Sequence, residues 1–317
     1  MRIGIIGTGR IAKRFVPEAE AVDGVEIAAV YNPHEGSARK FWANFSDRQY
    51  RPTLTEQIGK LWELVDAVYI ASPHETHFEY IIQALHHGKH VLCEKPIALD
   101  GWQIKECIKI ADEYNLILME GLKTAYCPGY SELIKIAESG IIGEIKYIDS
   151  CFTKLENENN RELTNKEYGG SLTELGSYVL LPIIDLFGCD YTSINVDSVS
   201  NELGLDVFTK VDLDYHERMA TAKCGLGVKC EGSLIVSGTK GYIKADAPWW
   251  KTAHIEVHYE DSTKKESFNY PFEGDGLRYE IKEFLRRIKA DEVDSDVIKA
   301  ERSRFFCVTG IMEQRNI

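Results

Sequence analysis

Residues 2–12 read Arg2-Ile3-Gly4-Ile5-Ile6-Gly7-Thr8-Gly9-Arg10-Ile11-Ala12, and Lys13 to Ala21 continues them in a helical pattern. The short apolar run predicts a buried strand, the glycines a tight turn, and the following segment a helix. Strand, glycine turn and helix, with Ala12 in the third small position, make up the dinucleotide-binding fingerprint. Gly7 permits the turn, Gly9 lets a backbone approach a pyrophosphate without a Cβ in the way, and Ala12 keeps the helix close to its strand. The helix N-terminus then offers unpaired N–H groups and a partial positive charge to phosphates.

Outward from this turn, strands and helices alternate. Val25 to Tyr31, Asp66 to Ala71, His90 to Cys93 and Leu116 to Met119 read as strands; Ser37 to Phe45, Leu54 to Leu64, Phe78 to His87 and Asp100 to Tyr114 read as helices, with Gly88 a C-cap candidate. The pattern predicts a doubly wound parallel sheet of Rossmann type, ligated at the carboxyl ends of its strands. Gly7, Ser72 and Glu94-Lys95 all fall at such ends. Asn32 stands where an NAD site places Asp or Glu on the ribose. It does not repel a 2′-phosphate, and Arg10, Arg39 and Lys40 are cations within reach of one, although Arg39 and Lys40 read equally as a solvated helix face. The cofactor expected is NAD(P), with a slight lean to NADP.

After about residue 122 the pattern changes. Helices at Tyr130 to Glu138 and from Gly169-Gly170 to near Gly188 are followed by strand-like runs. These are Ser193 to Ser200, Val207 to Leu213, Glu217 to Cys224, Gly227 to Val236, Tyr242 to Ala245, His254 to Tyr259 and Glu266 to Tyr270, with an earlier run at Ile145 to Thr153. Helices Gly276 to Ala290 and Ser295 to Glu313 close the chain. The expectation is a Rossmann domain over 1–121 and, over 122–317, an α+β substrate-binding and dimerisation domain with a large, mostly antiparallel open sheet. Ile235, Val236, Ile243, Ile255 and Val257, with Trp249 and Trp250, are expected on the open face of that sheet, pairing with a second copy.

The 317 residues are 44% hydrophobic and 27% charged, with a net charge of −13 and no dense basic block. This argues against nucleic acid or an anionic membrane as partner. No apolar run approaches a bilayer span. Met1 runs straight into a strand, so the expected location is the cytoplasm. The eight Cys are scattered without a C-x-x-C pair, which predicts reduced, buried thiols and no metal site.

Four motifs in order carry a resemblance: Gly7-Thr8-Gly9-Arg10-Ile11-Ala12; Ser72-Pro73-x-x-x-His77; Glu94-Lys95-Pro96; and Gly169-Gly170-Ser171-Leu172-Thr173-Glu174-Leu175-Gly176-Ser177-Tyr178. With these motifs the chain resembles the glucose–fructose oxidoreductase / inositol dehydrogenase (Gfo/Idh/MocA) family over nearly its whole length. Gly238-Thr239-Lys240-Gly241-Tyr242 and Trp249-Trp250-Lys251 look like its dihydrodiol dehydrogenase branch. The resemblance implies an oxidoreductase that moves hydride between a nicotinamide and a carbinol or carbonyl carbon of a sugar, polyol or diol. The alternative is a non-catalytic NAD(P)-binding sensor on the same fold.

By the same resemblance Lys95 and Tyr178 handle the proton, and Glu174 stands at the family's Asp position, four residues before Tyr178 on one helix face. A helix-cap or salt-bridge role for Glu174, and a core role for Tyr178, stay open. The implied cofactor residues are Gly7, Thr8, Gly9, Arg10, Ile11, Asn32, Ser72, Pro73, His74, His77, Glu94 and Lys95. The implied substrate residues are Lys123, Tyr126 and Tyr178. Lys123 and Ala125 occupy positions where the diol branch has Trp and Arg, Leu181 replaces a polar residue, and His74 replaces Asn. Trp249-Trp250 reads as sheet packing or an interface before substrate contact.

Overall fold

The computed structural model describes residues 1–314; the last three, which the expected second domain included, lie outside the described residues. In chain order the first elements are β1 (Arg2–Ile6), α1 (Arg10–Glu20), β2 (Glu26–Tyr31), α2 (Ser37–Trp42), β3 (Thr53–Thr55), α3 (Ile58–Leu64), β4 (Ala67–Ile70), α4 (His77–His86), β5 (His90–Glu94), α5 (Gly101–Glu113) and β6 (Leu118–Gly121). The six strands are parallel in the order β3-β2-β1-β4-β5-β6. The residues of β4 are fully buried, as a strand covered on both faces requires. Strand order reverses at β1 and β4, which places a ligand crevice at their carboxyl ends. Asp100 caps α5 by accepting from Gln103 N at 2.8 Å. Gly88 follows α4 with φ +68°.

One expected helix is corrected. Residues 54–64 do not form a single helix: Thr53–Thr55 pairs with Ala29–Tyr31 as an edge strand, and the chain turns at Gln57 into α3. Gln57 N donates to Thr55 Oγ1 at 3.0 Å and marks the turn. A three-residue strand is too short to show an alternation.

The chain continues through α6 (Pro128–Glu138), β7 (Ile145–Thr153), α7 (Arg161–Thr164), α8 (Ser171–Phe187), β8 (Ser193–Ser200), β9 (Asp206–Asp214), β10 (Met219–Gly225), β11 (Leu234–Gly238), β12 (Gly241–Ala245), β13 (His254–Tyr259) and β14 (Lys265–Asn269). These strands form one sheet in the order β14-β13-β12-β11-β7-β10-β9-β8. β7 and β10 are parallel and every other pairing is antiparallel. The expected strand Gly227 to Val236 begins only at Leu234. Before it, Cys230 N donates to Thr153 Oγ1 at 2.8 Å, so the loop is held to β7 by a side chain instead of a ladder.

The face assignment is also corrected. α8 packs on β7, β9 and β10, and α6 on β13. Val236, Ile243, Ile255, Val257 and Trp249 are fully buried, and Val236, Ile243 and Val257 lie in register with Ile148 and Ala220. They form the core, not an open apolar face. The opposite face carries one cross-strand row: Asn195, Asp212, Thr221, Asp149, Ile235, Lys244, Glu256 and Ser267. It is ion-paired, with Lys223–Asp149 at 2.8 Å and Lys210–Asp212 at 2.9 Å.

Two helices follow, α9 (Leu277–Lys289) and α10 (Asp296–Glu313). The chain divides into two compact units: Met1–Lys123 with Gly274–Phe305, and Thr124–Glu273 with the chain from Phe306 onward. The expected cut at 121/122 left the return segment in the second domain. Glu18 of α1 shows why it belongs to the first. Its carboxylate accepts from the backbone N–H groups of Asp275 and Arg278, both at 3.1 Å, and from Arg278 Nη2 at 2.8 Å. A carboxylate from α1 thus satisfies donors that α9 leaves open at its start. Burial works against this anion, but Arg278 and the backbone donors hold it below the usual carboxylate range. All eight Cys are free thiols, six of them buried.

Candidate functional site

In the first unit the glycine turn ends β1. Gly7 has φ +100°, and a Cβ there lies 2.5 Å from the carbonyl oxygen of Ala71, so the position excludes any side chain. At Gly9 the nearest atom to a Cβ is that same oxygen at 4.0 Å. The protein does not fill the space over Gly9. α1 begins there with no side-chain cap, so its first N–H groups face outward as an anion cradle does. Thr8 and Ile11 are half-buried and Arg10 is exposed beside the cradle.

Asn32 Nδ2 donates to Thr8 Oγ1 at 2.8 Å, and its Oδ1 accepts from His34 N at 2.9 Å. The residue expected at the ribose therefore also ties the β1 turn to the β2 turn. Arg39 and Lys40 are exposed on α2.

At the end of β4, Ser72 Oγ accepts from Thr76 Oγ1 at 2.7 Å. Pro73 is exposed and His74 half-buried. His77 lies deeper. It is fully buried, with Nδ1 2.8 Å from the Pro96 carbonyl oxygen and Nε2 3.1 Å from that of Ser72. Burial, reinforced by His74, pushes its pKa down to about 3. The ring is neutral, so it has a single N–H and donates to only one of these two carbonyls, while its other nitrogen lies against the second.

Lys95 follows β5 half-buried, between buried Glu94 and buried Pro96. Glu94 is buried and accepts from Tyr69 Oη at 2.5 Å. Burial raises its pKa, against the opposing pull of Lys95, Tyr69 and Lys123. Lys123, expected at the substrate, is buried and donates to the Asp275 carbonyl at 2.6 Å within the same unit. Glu120, on β6, accepts from Ile97 N at 3.2 Å, and burial pushes it up to about 7 despite Arg304. Glu120, on the strand next to that of Glu94, was not singled out in the sequence.

In the second unit the helix α8 buries nearly all of its first three turns. Glu174 and Tyr178 alone among residues 171–180 are half-exposed. The spacing of four thus aims both side chains away from the core, as the sequence indicated. The Tyr178 ring meets Phe152 edge-to-face at 5.3 Å, and Phe152 stacks on Trp250 at 3.5 Å. This ladder makes an apolar wall beside the phenol. Trp249 is fully buried, its Nε1 donating to the Cys151 carbonyl at 2.8 Å, which is the packing role expected of it. Phe152 was not singled out, since an aromatic at the end of a core strand carries no signal of its own. Tyr126 is half-buried. Among the described residues there is no group of three or more His, Cys, Asp or Glu that could hold a metal ion, and no helix is long and apolar enough to cross a membrane.

Residues 1–122 match the family model described as an oxidoreductase family with an NAD-binding Rossmann fold, and residues 130–244 match the GFO/IDH/MocA C-terminal domain. The chain is 28% identical over 323 residues to the scyllo-inositol 2-dehydrogenase (NADP(+)) IolU of Bacillus subtilis (strain 168), covering 96% of this chain and 93% of the relative. It is 28% identical to the trans-1,2-dihydrobenzene-1,2-diol dehydrogenase of Sus scrofa, covering 96% and 92%. Its fold matches the crystal structure of KijD10, a 3-ketoreductase from Actinomadura kijaniata, in complex with NADP and TDP-benzene. The TM-score is 0.83 at 24% identity, over 97% of this chain and 95% of that one.

Proposed function

The chain belongs to the Gfo/Idh/MocA oxidoreductase family, and on that premise we propose that it moves hydride between a nicotinamide cofactor and a carbinol or carbonyl carbon of a sugar, polyol or diol. The observation that carries this reading is in the first unit: an uncapped helix start with open space over Gly9, on the same sheet edge that ends in Lys95. These residues fit a dinucleotide: an N–H cradle for the pyrophosphate at Gly7 to Ile11, and a polar, uncharged Asn32 at the ribose.

When bound, the nicotinamide supplies the hydride acceptor or donor. The chain supplies orientation and proton transfer. Tyr178 takes the hydroxyl proton in oxidation and gives it back in reduction, and Lys95 acts as the cation that assists this transfer. A phenol titrates near ~10 on its own, so a cation favours its acting as base near neutral pH. Glu174 orients Tyr178, one turn before it on α8. His77 lies between the Ser72 and Pro96 carbonyls, next to the backbone of Lys95. Phe152 and Trp250 offer a surface for the apolar face of a ring substrate. Tyr126 adds a hydroxyl.

NADP(H) is accepted at least as well as NAD(H), because Asn32 brings no charge against a 2′-phosphate and Arg10 stands exposed beside the turn. The protein is a cytoplasmic homodimer in this reading. The polar, ion-paired row of the second sheet, with exposed Met219 and Tyr242 beside it, is the self-complementary surface.

The rival reading is a dinucleotide sensor without turnover. Purified protein mixed with NADP⁺ and a panel of sugars, polyols and diols decides between them. Growth of reduced-nicotinamide absorbance with any substrate supports the enzyme. Tight cofactor binding with no turnover across the panel, in either direction, supports the sensor. Light scattering at micromolar concentration tests the dimer, and a monomeric mass refutes it.

A further inference from the structure

β5 and its pairing with β4 and β6 stop at Glu94, and the chain leaves the sheet through Lys95, Pro96 and Ile97. Beyond the ladder two side chains meet this segment. His77 Nδ1 lies 2.8 Å from the Pro96 carbonyl oxygen, and Glu120 Oε1 accepts from Ile97 N at 3.2 Å. Ile97 is buried, so taking that carboxyl away strips a buried N–H of its acceptor. Glu120 is itself fixed. It lies opposite Cys93 in the β5–β6 pairing, is buried, and donates its own N–H to Glu301 Oε1 at 3.3 Å. The other oxygen of Glu301, on α10, accepts from Arg287 of α9, whose Nε donates to Glu283 at 2.8 Å. Arg304 Nη2 stands 4.0 Å from Glu301 Oε1. Hydrogen bonds thus run from Arg287 to Glu301, on to the main chain of Glu120, and through its side chain to Ile97, all within the first unit. Glu280, in the first turn of α9, makes the contrast: it is as deeply buried, but neither carboxyl oxygen has a hydrogen-bond partner, so it joins no such chain.

We propose that Glu120 is a positioning residue for Lys95: its carboxyl clamps the Ile97 peptide and so holds the lysine, two residues earlier, in one place at the carboxyl end of β5, with the Arg287–Glu301 pair as its footing. The proposal rests on the reading of Lys95 as the cation that assists proton transfer. Such a cation helps only at the right distance, and a displacement of about 1 Å costs roughly a hundredfold in rate. The clamp does not depend on the charge of Glu120. Burial pushes its pKa up to about 7 against the pull of Arg304, so acid and carboxylate are both present near neutral pH, and either form offers an oxygen to the Ile97 N–H. Buried Arg287 and Glu301 satisfy one another, which fits a fixed anchor behind the clamp.

Glu120→Met keeps the volume and removes the acceptor, whereas Glu120→Gln keeps an acceptor oxygen. The first measurement is hydrogen exchange at the Ile97 amide of the full chain. Exchange is expected to be slow in wild type and in Glu120→Gln, and at least about tenfold faster in Glu120→Met. Fast exchange in wild type, or no change in Glu120→Met, overturns the clamp. The second measurement is kcat, KM and cofactor Kd, taken well below the melting temperature of each variant. Glu120→Met is expected to lower kcat roughly ten- to hundredfold with cofactor Kd held within about twofold, and Glu120→Gln to recover most of that loss. A Glu120→Met that melts earlier but keeps wild-type kcat has lost only a structural contact, and overturns the positioning role. A Glu120→Gln as slow as Glu120→Met overturns it too, since the charge and not the hydrogen bond is then what matters.

The link to Lys95 is read from a double-variant cycle. In the Lys95→Ala background Glu120→Met is expected to cost less than about twofold in kcat, because a residue that acts through the lysine has nothing left to position. The full loss in that background overturns the link. If Glu120→Met does not fold, Glu120→Asp, whose carboxyl is one methylene short of Ile97, carries the same measurements. Normal turnover in the Lys95→Ala single variant counts against the reading of Lys95, and leaves the exchange result to decide the clamp on its own.

Discussion

The amide nitrogen of Asn32 lies 2.8 Å from Thr8 Oγ1, so the residue expected at the ribose is a clasp between the first two βα turns. Its oxygen is occupied by His34 N. The side chain is held in one orientation at the edge of the crevice without a formal charge. In the proposed reading that combination places no negative charge against a 2′-phosphate.

Asn32→Asp keeps the clasp, since a carboxylate accepts from both Thr8 Oγ1 and His34 N, and adds a charge against a 2′-phosphate. Fluorescence titration is expected to show NADP⁺ affinity falling at least about tenfold relative to NAD⁺, roughly 1.4 kcal/mol. Arg10→Ala weakens NADP⁺ more than NAD⁺ in the same assay. Tight NAD⁺ binding with no measurable NADP⁺ binding in the wild type removes the basis for both expectations.

Glu18→Ala is expected to destabilise the first unit by about 3–5 kcal/mol, the range for removing one partner of a buried ion pair. Glu18 is 3% exposed, and its loss leaves the Arg278 guanidinium and two backbone donors of α9 with no carboxylate. Urea denaturation measures it. A cost below about 1 kcal/mol, typical of surface pairs, shows that water replaces the carboxylate and that α9 is not held this way.

How much of this was legible in sequence follows from the range of the contacts involved. The β1 turn was readable because its reasons are local: Gly7 needs a positive φ and Ala12 sits one turn later. The Glu174–Tyr178 pair was readable because helical period alone puts both on one face. The faces of the second sheet were not. Alternation shows that Ile243 and Lys244 point apart, but only the packing of α6 and α8 decides which side is core. β3 was missed because three residues carry no period. Glu280 was invisible for a stronger reason: its burial depends on the return of 274–305 to the first unit, and nothing near residue 280 encodes that return.

His77 predicts an acid limit. Its folded pKa is depressed to about 3 by burial, against about 6.5 unfolded. A depressed folded pKa gives stability that is present above the unfolded value and is lost as pH falls. The loss is about 1.4 kcal/mol per pH unit below 6.5 until the folded value is reached. Melting curves are therefore expected to drop steeply from pH 6.5 to 4 in wild type and less steeply in His77→Gln. Parallel slopes for the two proteins contradict the buried neutral ring.

The proton-transfer assignment gives the most demanding prediction. Lys95 follows β5 at the strand ends that carry the glycine turn, and Tyr178 is one of two residues that α8 leaves half-exposed among residues 171–180. If Lys95 supplies the cation and Tyr178 the hydroxyl, Tyr178→Phe removes only the general acid–base contribution, roughly 10²–10⁴-fold in kcat. Phe152 packs on the ring edge-to-face, and phenylalanine preserves that contact, so the fold and the cofactor Kd should be unchanged. Lys95→Ala is expected to abolish most of kcat and leave cofactor binding largely intact. Residues that act as one unit do not add: the double variant should be hardly slower than the slower single. Rates are to be measured on the best substrate of the panel, with single-turnover kinetics to separate chemistry from product release. Additive losses mean that the two act in separate steps. Near-wild-type turnover in Tyr178→Phe sends the proton elsewhere, and Glu174, the other half-exposed residue of that helix face, becomes the group to test, since the His77 ring is fully buried.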